Sequence, residues 1–269
     1  MLDYYYITNK PSVASVADGA GVACVFVDLE YMGKDERQPF DTVKNHHTVE
    51  DVIRVRRAVK NADLLVRVNP LFDGSAEEIE RVIEAGADIV MLPMWNSADE
   101  VERFIGLLGG RARPLPLLET DSAAKCVGEI LKLDGIEEIH IGLNDLKISQ
   151  NKRFLFELFV DGTVDALAEK ISGAGKRFGV GGVGAVGKKI ALPAENILAE
   201  HYRLGSSSVI LSRAFCPAEE FESDGEFKTA FLESINANRE YEKMLSSQNE
   251  EYFSRKHKET TEIIREITG

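Results

Sequence analysis

Two patterns alternate along this chain. Short apolar runs bounded by turn residues are separated by stretches whose apolar positions recur every three or four residues. The first pattern belongs to strands buried on both faces, the second to amphipathic helices. Leu2 to Ile7 and Ala23 to Leu29 open the strand series, followed by Leu64 to Val68 and Asp88 to Pro93. The runs from Arg113 to Glu119 and from Glu138 to Asp145 each end on a carboxylate, and Arg177 to Val183 and Ser208 to Ser212 close the series. Helices are expected between them. Pro11 opens one at 12–20, Thr48-Val-Glu-Asp51 forms a capping box for one reaching about Lys60, and Ser75 caps one to Ala85 with Glu78 three residues on. Further helices fit 97–108, closed by Gly109-Gly110, a segment within 121–135, a segment within 154–173 broken near Gly162, and 193–204, stopped by Gly205.

Eight strands strictly alternating with helices over residues 1–215 point to a closed (β/α)8 barrel, the TIM barrel, with a doubly wound open sheet as the alternative. Residues 216–269 are strongly charged and contain two helix-forming runs, 226–238 and 248–267. The first completes the barrel. The second exceeds what a monomeric barrel needs and is expected to pack on the barrel and a neighbouring subunit, the alternative being a solvated tail.

Composition narrows the function classes. A net charge of −13 with no basic block argues against nucleic-acid and anionic-membrane partners. Cys24, Cys126 and Cys216 are odd in number and far apart, so reduced thiols and a cytoplasmic setting are expected. No basic region followed by an apolar stretch marks a signal peptide, and no apolar run approaches the ~20 residues of a membrane span.

In such a barrel, reacting groups sit where strands end. Those positions hold Asp28 and Glu30, Arg67 and Asn69, Pro93, Glu119, Asn144 and Asp145, Gly181 to Gly184, and Ser212 and Arg213. Several carboxylates at one rim need a cation between them. A hard divalent metal held by Glu119 and Asp145 supplies it, leaving Arg67 free to hold a substrate carboxylate by a two-pronged contact. Each has a plainer reading: Glu119 or Asp145 as a helix cap or first-turn acid, Arg67 as a structural ion pair, the glycines as close-packing positions or a phosphate cradle. A long polar loop, 31–47, carries His46 and His47, of which at most one serves as base or ligand. His140, inside a strand, reads as a satisfied core residue, and His201 and His257 as ordinary helix residues. Lys147 is the lysine nearest a strand end, which argues against a Schiff base.

Val25-Phe-Val-Asp-Leu-Glu30, Leu65-Val-Arg-Val-Asn-Pro70, Gly86-Ala-Asp-Ile-Val-Met-Leu-Pro-Met94, Pro116-Leu-Leu-Glu-Thr120 and Ile141-Gly-Leu-Asn-Asp-Leu146 fall in one order. As an ordered set they resemble the HpcH/HpaI aldolase and citrate lyase family of pyruvate- and phosphoenolpyruvate-binding barrels, over roughly residues 20 to 215. The resemblance implies magnesium or manganese on Glu119 and Asp145, and a 2-oxo acid whose enolate is steadied by Arg67. It also implies a homo-oligomer, trimer or hexamer, whose last helix crosses to a neighbour. Two positions depart. Where the aldolase branch has an acid–base histidine three residues after Asp28, this chain has Tyr31, and where that branch often has glutamine, it has Leu117. Asp-Leu-Glu looks more like the citrate lyase branch, yet the aspartate that often follows there is again Tyr31.

The expectation is therefore a metal-dependent carbon–carbon lyase, a class II pyruvate aldolase, cleaving a 4-hydroxy-2-oxo acid to pyruvate and an aldehyde, or running in reverse. Asp28, Tyr31, His46 and His47 are its acid–base candidates beside Arg67, and Glu30, Pro93 and Asn144 join Arg67 on the substrate. A citrate-lyase-like acyl-thioester lyase, and a weakly catalytic or non-catalytic barrel that binds metal and oxo acid, remain as alternatives.

Overall fold

A computed structural model describes residues 1–33 and 47–269. Eight parallel strands, β1 (Asp3–Ile7), β2 (Cys24–Asp28), β3 (Asp63–Arg67), β4 (Ile89–Leu92), β5 (Arg113–Leu118), β6 (Glu138–Ile141), β7 (Arg177–Val183) and β8 (Ser208–Leu211), pair in sequence order. β8 returns to pair with β1, so the sheet closes into a (β/α)8 barrel. The expected helices lie outside it: α1 (Pro11–Gly19), α2 (Val49–Ala58), α3 (Ser75–Glu84), α4 (Ala98–Leu108) and α5 (Asp121–Ile130) follow the first five strands. After β6 come α6 (Leu143–Ser149), a 3₁₀ turn (Leu155–Phe159) and α7 (Thr163–Gly173), then α8 (Ala194–Leu204) after β7 and α9 (Asp224–Leu245) and α10 (Glu250–Thr268) after β8.

Because side chains alternate along a strand, each strand feeds two cores. One set, including Val25, Val27, Leu64, Val66, Val90, Leu92, Ile139 and Ile141, packs outward against the helices. The other fills the barrel: Tyr5, Cys24, Phe26, Leu65, Ile89, Met91, Leu115 and Leu117, with Ile210 against them. These inward residues come mainly from β1 to β5. The opposite wall carries Glu138 and His140 on β6, Gly179 and Gly181 on β7 and Ser208 on β8. Tyr5 and Ser208 both donate their hydroxyls to Glu138 Oε1.

One local expectation holds and two change. Thr48 caps α2 with the reciprocal Asp51 contact, as its box predicts. Ser75 does not cap α3: its hydroxyl accepts the Phe72 N–H, and Glu78 turns away to Asn69, whose Nδ2 donates to it at 2.5 Å. The run from Glu138 to Asp145 is not strand throughout either: β6 stops at Ile141, and α6 begins directly after Gly142 with Asn144 and Asp145 in its first turn. Finally, α10 lies along α8 of its own barrel, with Thr260 and Ile264 buried, Asn196 Nδ2 donating to Thr260 Oγ1 at 3.1 Å, and His257 beside buried Glu200 at 2.9 Å. That face of α10 is covered by its own chain.

The long α9 ties the end of the chain to its start. Glu242, on α9, is fully buried and accepts from Leu2 N at 2.6 Å, from Tyr202 Oη at 3.1 Å and from Tyr4 Oη. Arg239 bonds Glu242 at 2.8 Å and the Leu2 carbonyl at 2.7 Å while stacking over the Tyr4 ring. A buried carboxylate with this many donors is compensated. Among the described residues, no helix is long and apolar enough to cross a membrane.

Candidate active site

The carboxyl ends of β3, β5, β6, β7 and β8 surround a cavity of about 230 Å³. Arg67, Glu119, Asn144 and Asp145 line its rim, and Leu117, His140, Gly182 and Ile210 lie deeper in the barrel. Glu119 is the residue immediately after β5, and Asp145 stands in the first turn of α6, which follows β6. The two carboxylates thus face one cavity from adjacent βα units.

Glu119 is held on two sides. Its Oε1 accepts the Met94 N–H at 3.0 Å. Gly142 lies on its other side, where a Cβ would stand 3.0 Å from Glu119 Cβ and Oε2, so a side chain there would press on Glu119. Met94 reaches Glu119 from a left-handed backbone, φ 54°, a conformation uncommon for a residue with a side chain. Burial and then the Asp145 charge push the Glu119 carboxyl up to about 8, against a smaller lowering by Arg67. A carboxylate so disfavoured beside another is relieved by a cation.

Arg67 closes the β3 side. Its Nε and Nη2 donate to the two oxygens of Asp28 at 2.9 and 2.8 Å, Nε lies 3.4 Å from Glu30, and the guanidinium stands over the Phe26 ring. The two-pronged fork expected for a substrate is therefore occupied by Asp28. A ligand would meet Arg67 as a fixed charge at its remaining edge. Burial alone would lower the Arg67 pKa, but Asp28 and Glu30 more than offset this, so the group stays cationic. Asp28 and Glu30 are buried, and the Glu30 N–H donates to Asp28 Oδ1 at 3.2 Å.

The remaining expected residues scatter. Asn69 is buried as a bracket, with its Oδ1 accepting the Tyr31 and Met32 N–H groups at 3.0 Å and its Nδ2 on Glu78. The Tyr31 side chain is 64% exposed, away from this cavity. Pro93 follows β4 without lining the cavity, and its neighbour Met94 supplies the contact. His46 lies outside the described residues. His47 Nδ1 accepts the Asp28 N–H at 3.0 Å, and its ring lines a different cavity, of about 390 Å³, with Thr8, Lys10, Ser212 and Arg213 between the ends of β1 and β8.

His140 is not the satisfied core residue expected. It is wholly buried, its Nε2 is 3.4 Å from the Gly181 carbonyl, and its Nδ1 has no partner. Burial pulls its pKa down to about 4, so it is neutral near pH 7. The glycines of β7 explain themselves here. A Cβ on Gly179 would fall 2.1 Å from Ser208 Oγ and 2.3 Å from His140 Nδ1, and one on Gly181 2.6 Å from Leu143. Their missing side chains are filled by neighbours, which is the close-packing reading of that run and not a phosphate cradle.

Sequence reasoning passed over Met94, Gly142 and His140. For Met94 there was no signal, since a left-handed methionine has no sequence signature. For His140 there was one: Glu138 and His140 are two apart on one strand and so share its inward face.

A hard divalent cation fits this donor set. Two carboxylates from adjacent elements, one raised by the other, leave coordination positions for water and substrate oxygens, as magnesium favours. Among the described residues there is no group of three or more His, Cys, Asp or Glu side chains placed as a ready cage.

Comparison with known proteins shows the family. The model of the HpcH/HpaI aldolase/citrate lyase family matches residues 4–195. No curated protein matches the chain. Among solved structures, an HpcH/HpaI aldolase/citrate lyase family protein from Burkholderia cenocepacia superposes with a TM-score of 0.62 at 14% identity, covering 91% of this chain and 94% of that one. An HpcH/HpaI aldolase from Desulfitobacterium hafniense gives 0.59 at 13% identity, covering 78% and 86%. A variant of the citrate synthase SbnG gives 0.57 at 16%, covering 89% and 94%. At these identities the structures share the fold, and the family match spans most of the barrel. The chain belongs to the HpcH/HpaI aldolase/citrate lyase family.

Proposed function

We propose that the protein is a divalent-metal-dependent carbon–carbon lyase, cleaving a 4-hydroxy-2-oxo acid to pyruvate and an aldehyde or joining them in reverse. The observation that carries this reading is the convergence of Glu119 and Asp145 on one cavity beside a fixed arginine. Magnesium or manganese held there by Glu119 and Asp145 would act as Lewis acid on the oxygens of the 2-oxo acid.

The chain's own residues do the rest. Arg67, locked by Asp28, sets a permanent positive charge where the substrate oxygens gain negative charge as the bond breaks. Because Asp28 already fixes it, that charge needs little rearrangement when substrate arrives. The Met94 N–H holds one Glu119 oxygen, which keeps the other oriented. Asn144, at the start of α6, offers an amide to the substrate carboxylate.

The test is pyruvate release from hydroxy-oxo acids of varied chain length, with magnesium or manganese and with chelator. Release that stops with chelator and returns with metal is expected. No release from any of them would overturn the reading.

A second reading has one observation behind it. The cavity holding Lys10, His47 and Arg213 adjoins the rim on the β1 and β8 side and is large enough for part of an extended acyl carrier. A thioester lyase of citrate-lyase type would use it. Cleavage of a hydroxyacyl thioester in preference to every free oxo acid would favour this reading over the first.

A further inference from the structure

Among the described acid–base candidates named from the sequence, none lines the cavity where Glu119 and Asp145 meet. Asp28 holds Arg67, Tyr31 is exposed, and His47 lines the neighbouring cavity. His140 does line it, from the wall of β6. Its Nε2 stands beside Gly181, itself a cavity residue, at the long end of hydrogen-bonding distance. Its Nδ1, unpartnered, and Ser208 Oγ close together over Gly179, where a side chain would otherwise stand. Ser208 in turn donates to Glu138, which Tyr5 also bonds. A polar string, Glu138 to Ser208 to His140, therefore runs up the inside of an otherwise apolar barrel and ends at the site.

We propose that His140 is the proton-transferring side chain of this cavity, with Ser208 and Glu138 as positioning residues beneath it. This rests on the lyase reading of the same site. The proton that Nε2 shares with the Gly181 carbonyl must first move to Nδ1, beside the Ser208 oxygen, and that tautomer leaves the Nε2 lone pair for the substrate. Nε2 takes the proton of the substrate's 4-hydroxyl, and the oxygen's electron pair forms the aldehyde C=O as the C3–C4 bond breaks. The C3–C4 pair becomes the pyruvate enolate. The new Nε2–H then returns its proton to C3, giving pyruvate and a neutral imidazole. Between these steps the imidazolium is balanced through Ser208 by the Glu138 carboxylate. The reverse reaction begins with removal of a C3 proton from pyruvate by the same nitrogen.

The experiment follows exchange of the pyruvate methyl protons with D₂O by NMR, with magnesium or manganese present, alongside calorimetric binding of oxalate, which mimics the enolate. In His140→Gln and His140→Phe, exchange should fall by roughly 10²–10⁴-fold. Oxalate affinity should stay within about threefold of the unaltered protein, under 1 kcal/mol. Ser208→Ala should lower exchange by about tenfold and, in the metal-free protein, move the ¹⁵N resonance of His140 Nδ1. In the unaltered protein, oxalate with metal should move the Nε2 resonance.

Exchange that persists in either folded His140 variant, or a Nε2 resonance indifferent to bound oxalate, overturns the assignment and leaves the lyase reading standing. A His140 resonance unmoved by Ser208→Ala overturns the positioning role. An unaltered protein that neither binds oxalate nor exchanges pyruvate protons overturns the lyase reading, and this inference with it.

Discussion

On the β1 to β5 side of the barrel, Phe26, Leu65, Met91, Leu115 and Leu117 interlock as an apolar filling. On the β6 to β8 side, the same depth holds Glu138, His140 and Ser208, fitted against Gly179 and Gly181. The first wall gains from surface removed from water, and any residue of similar size and greasiness serves it. The second gains little from burial and depends on each polar atom meeting its partner, with the backbone pulled close to make room. The candidate site lies over both, with Arg67 and Glu119 at the ends of β3 and β5 and His140 on β6. A barrel interior can thus be rigid on one side and polar on the other without losing closure.

The largest expected effect is at the cavity mouth, where the two walls meet. Glu119→Gln should lower metal-dependent pyruvate release on the order of 10³-fold, as loss of a charge-stabilising group does, and abolish calorimetric metal binding. On the apolar wall, Leu65→Ala should cost about 2–5 kcal/mol in denaturant unfolding, because a fully buried side chain is removed from a packed interior. Gly179→Ala should cost about 1–3 kcal/mol by overpacking, and Ser208→Gly in the same chain should recover part of it by removing one of the atoms struck. If Gly179→Ala were neutral, the close fit of the polar wall would be wrong.

Glu119 and the buried histidines should also drive stability in opposite senses with pH in the metal-free protein. Glu119 titrates at about 8 when folded against 4.5 ordinarily, so the folded chain binds more protons across that window and stability falls as pH rises through it. His140 and His201 are held down to about 4 and about 3, so the unfolded chain binds more protons below 6.5 and stability falls as pH drops from there. Melting temperature against pH should therefore peak near 6.5. Magnesium or manganese should raise it most at alkaline pH, where protons no longer compete for Glu119. The smallest effect is remote from both walls: Thr48→Ala should cost about 1 kcal/mol by removing the α2 cap.

The barrel was legible because its strands are apolar runs and its helices end on strong signals, such as Thr48, Gly109 and Gly205. Glu119, Asp145 and Arg67 were legible because strand ends in this architecture point at one rim. What the sequence hid were relations between side chains. Arg67 reads as available until Asp28, paired with it across β2 and β3, is seen to fill its fork. Ser75 and Glu78 spell a cap, yet the preceding loop takes both side chains, Phe72 through its N–H and Asn69 through its amide. Met94 serves through its backbone, which its identity does not announce.

Glu242 sets a timing on the molecule. As the ribosome releases the chain, β1 can find β2 almost at once, but the Leu2 amide and the Tyr4 hydroxyl must wait for a residue about 240 positions later. So distant a contact forms late, after most of the loop-closure cost has been met. The first strand made is thus among the last to be secured, and a nascent chain stopped short of α9 would leave the Leu2 amide and the Tyr4 hydroxyl without their acceptor.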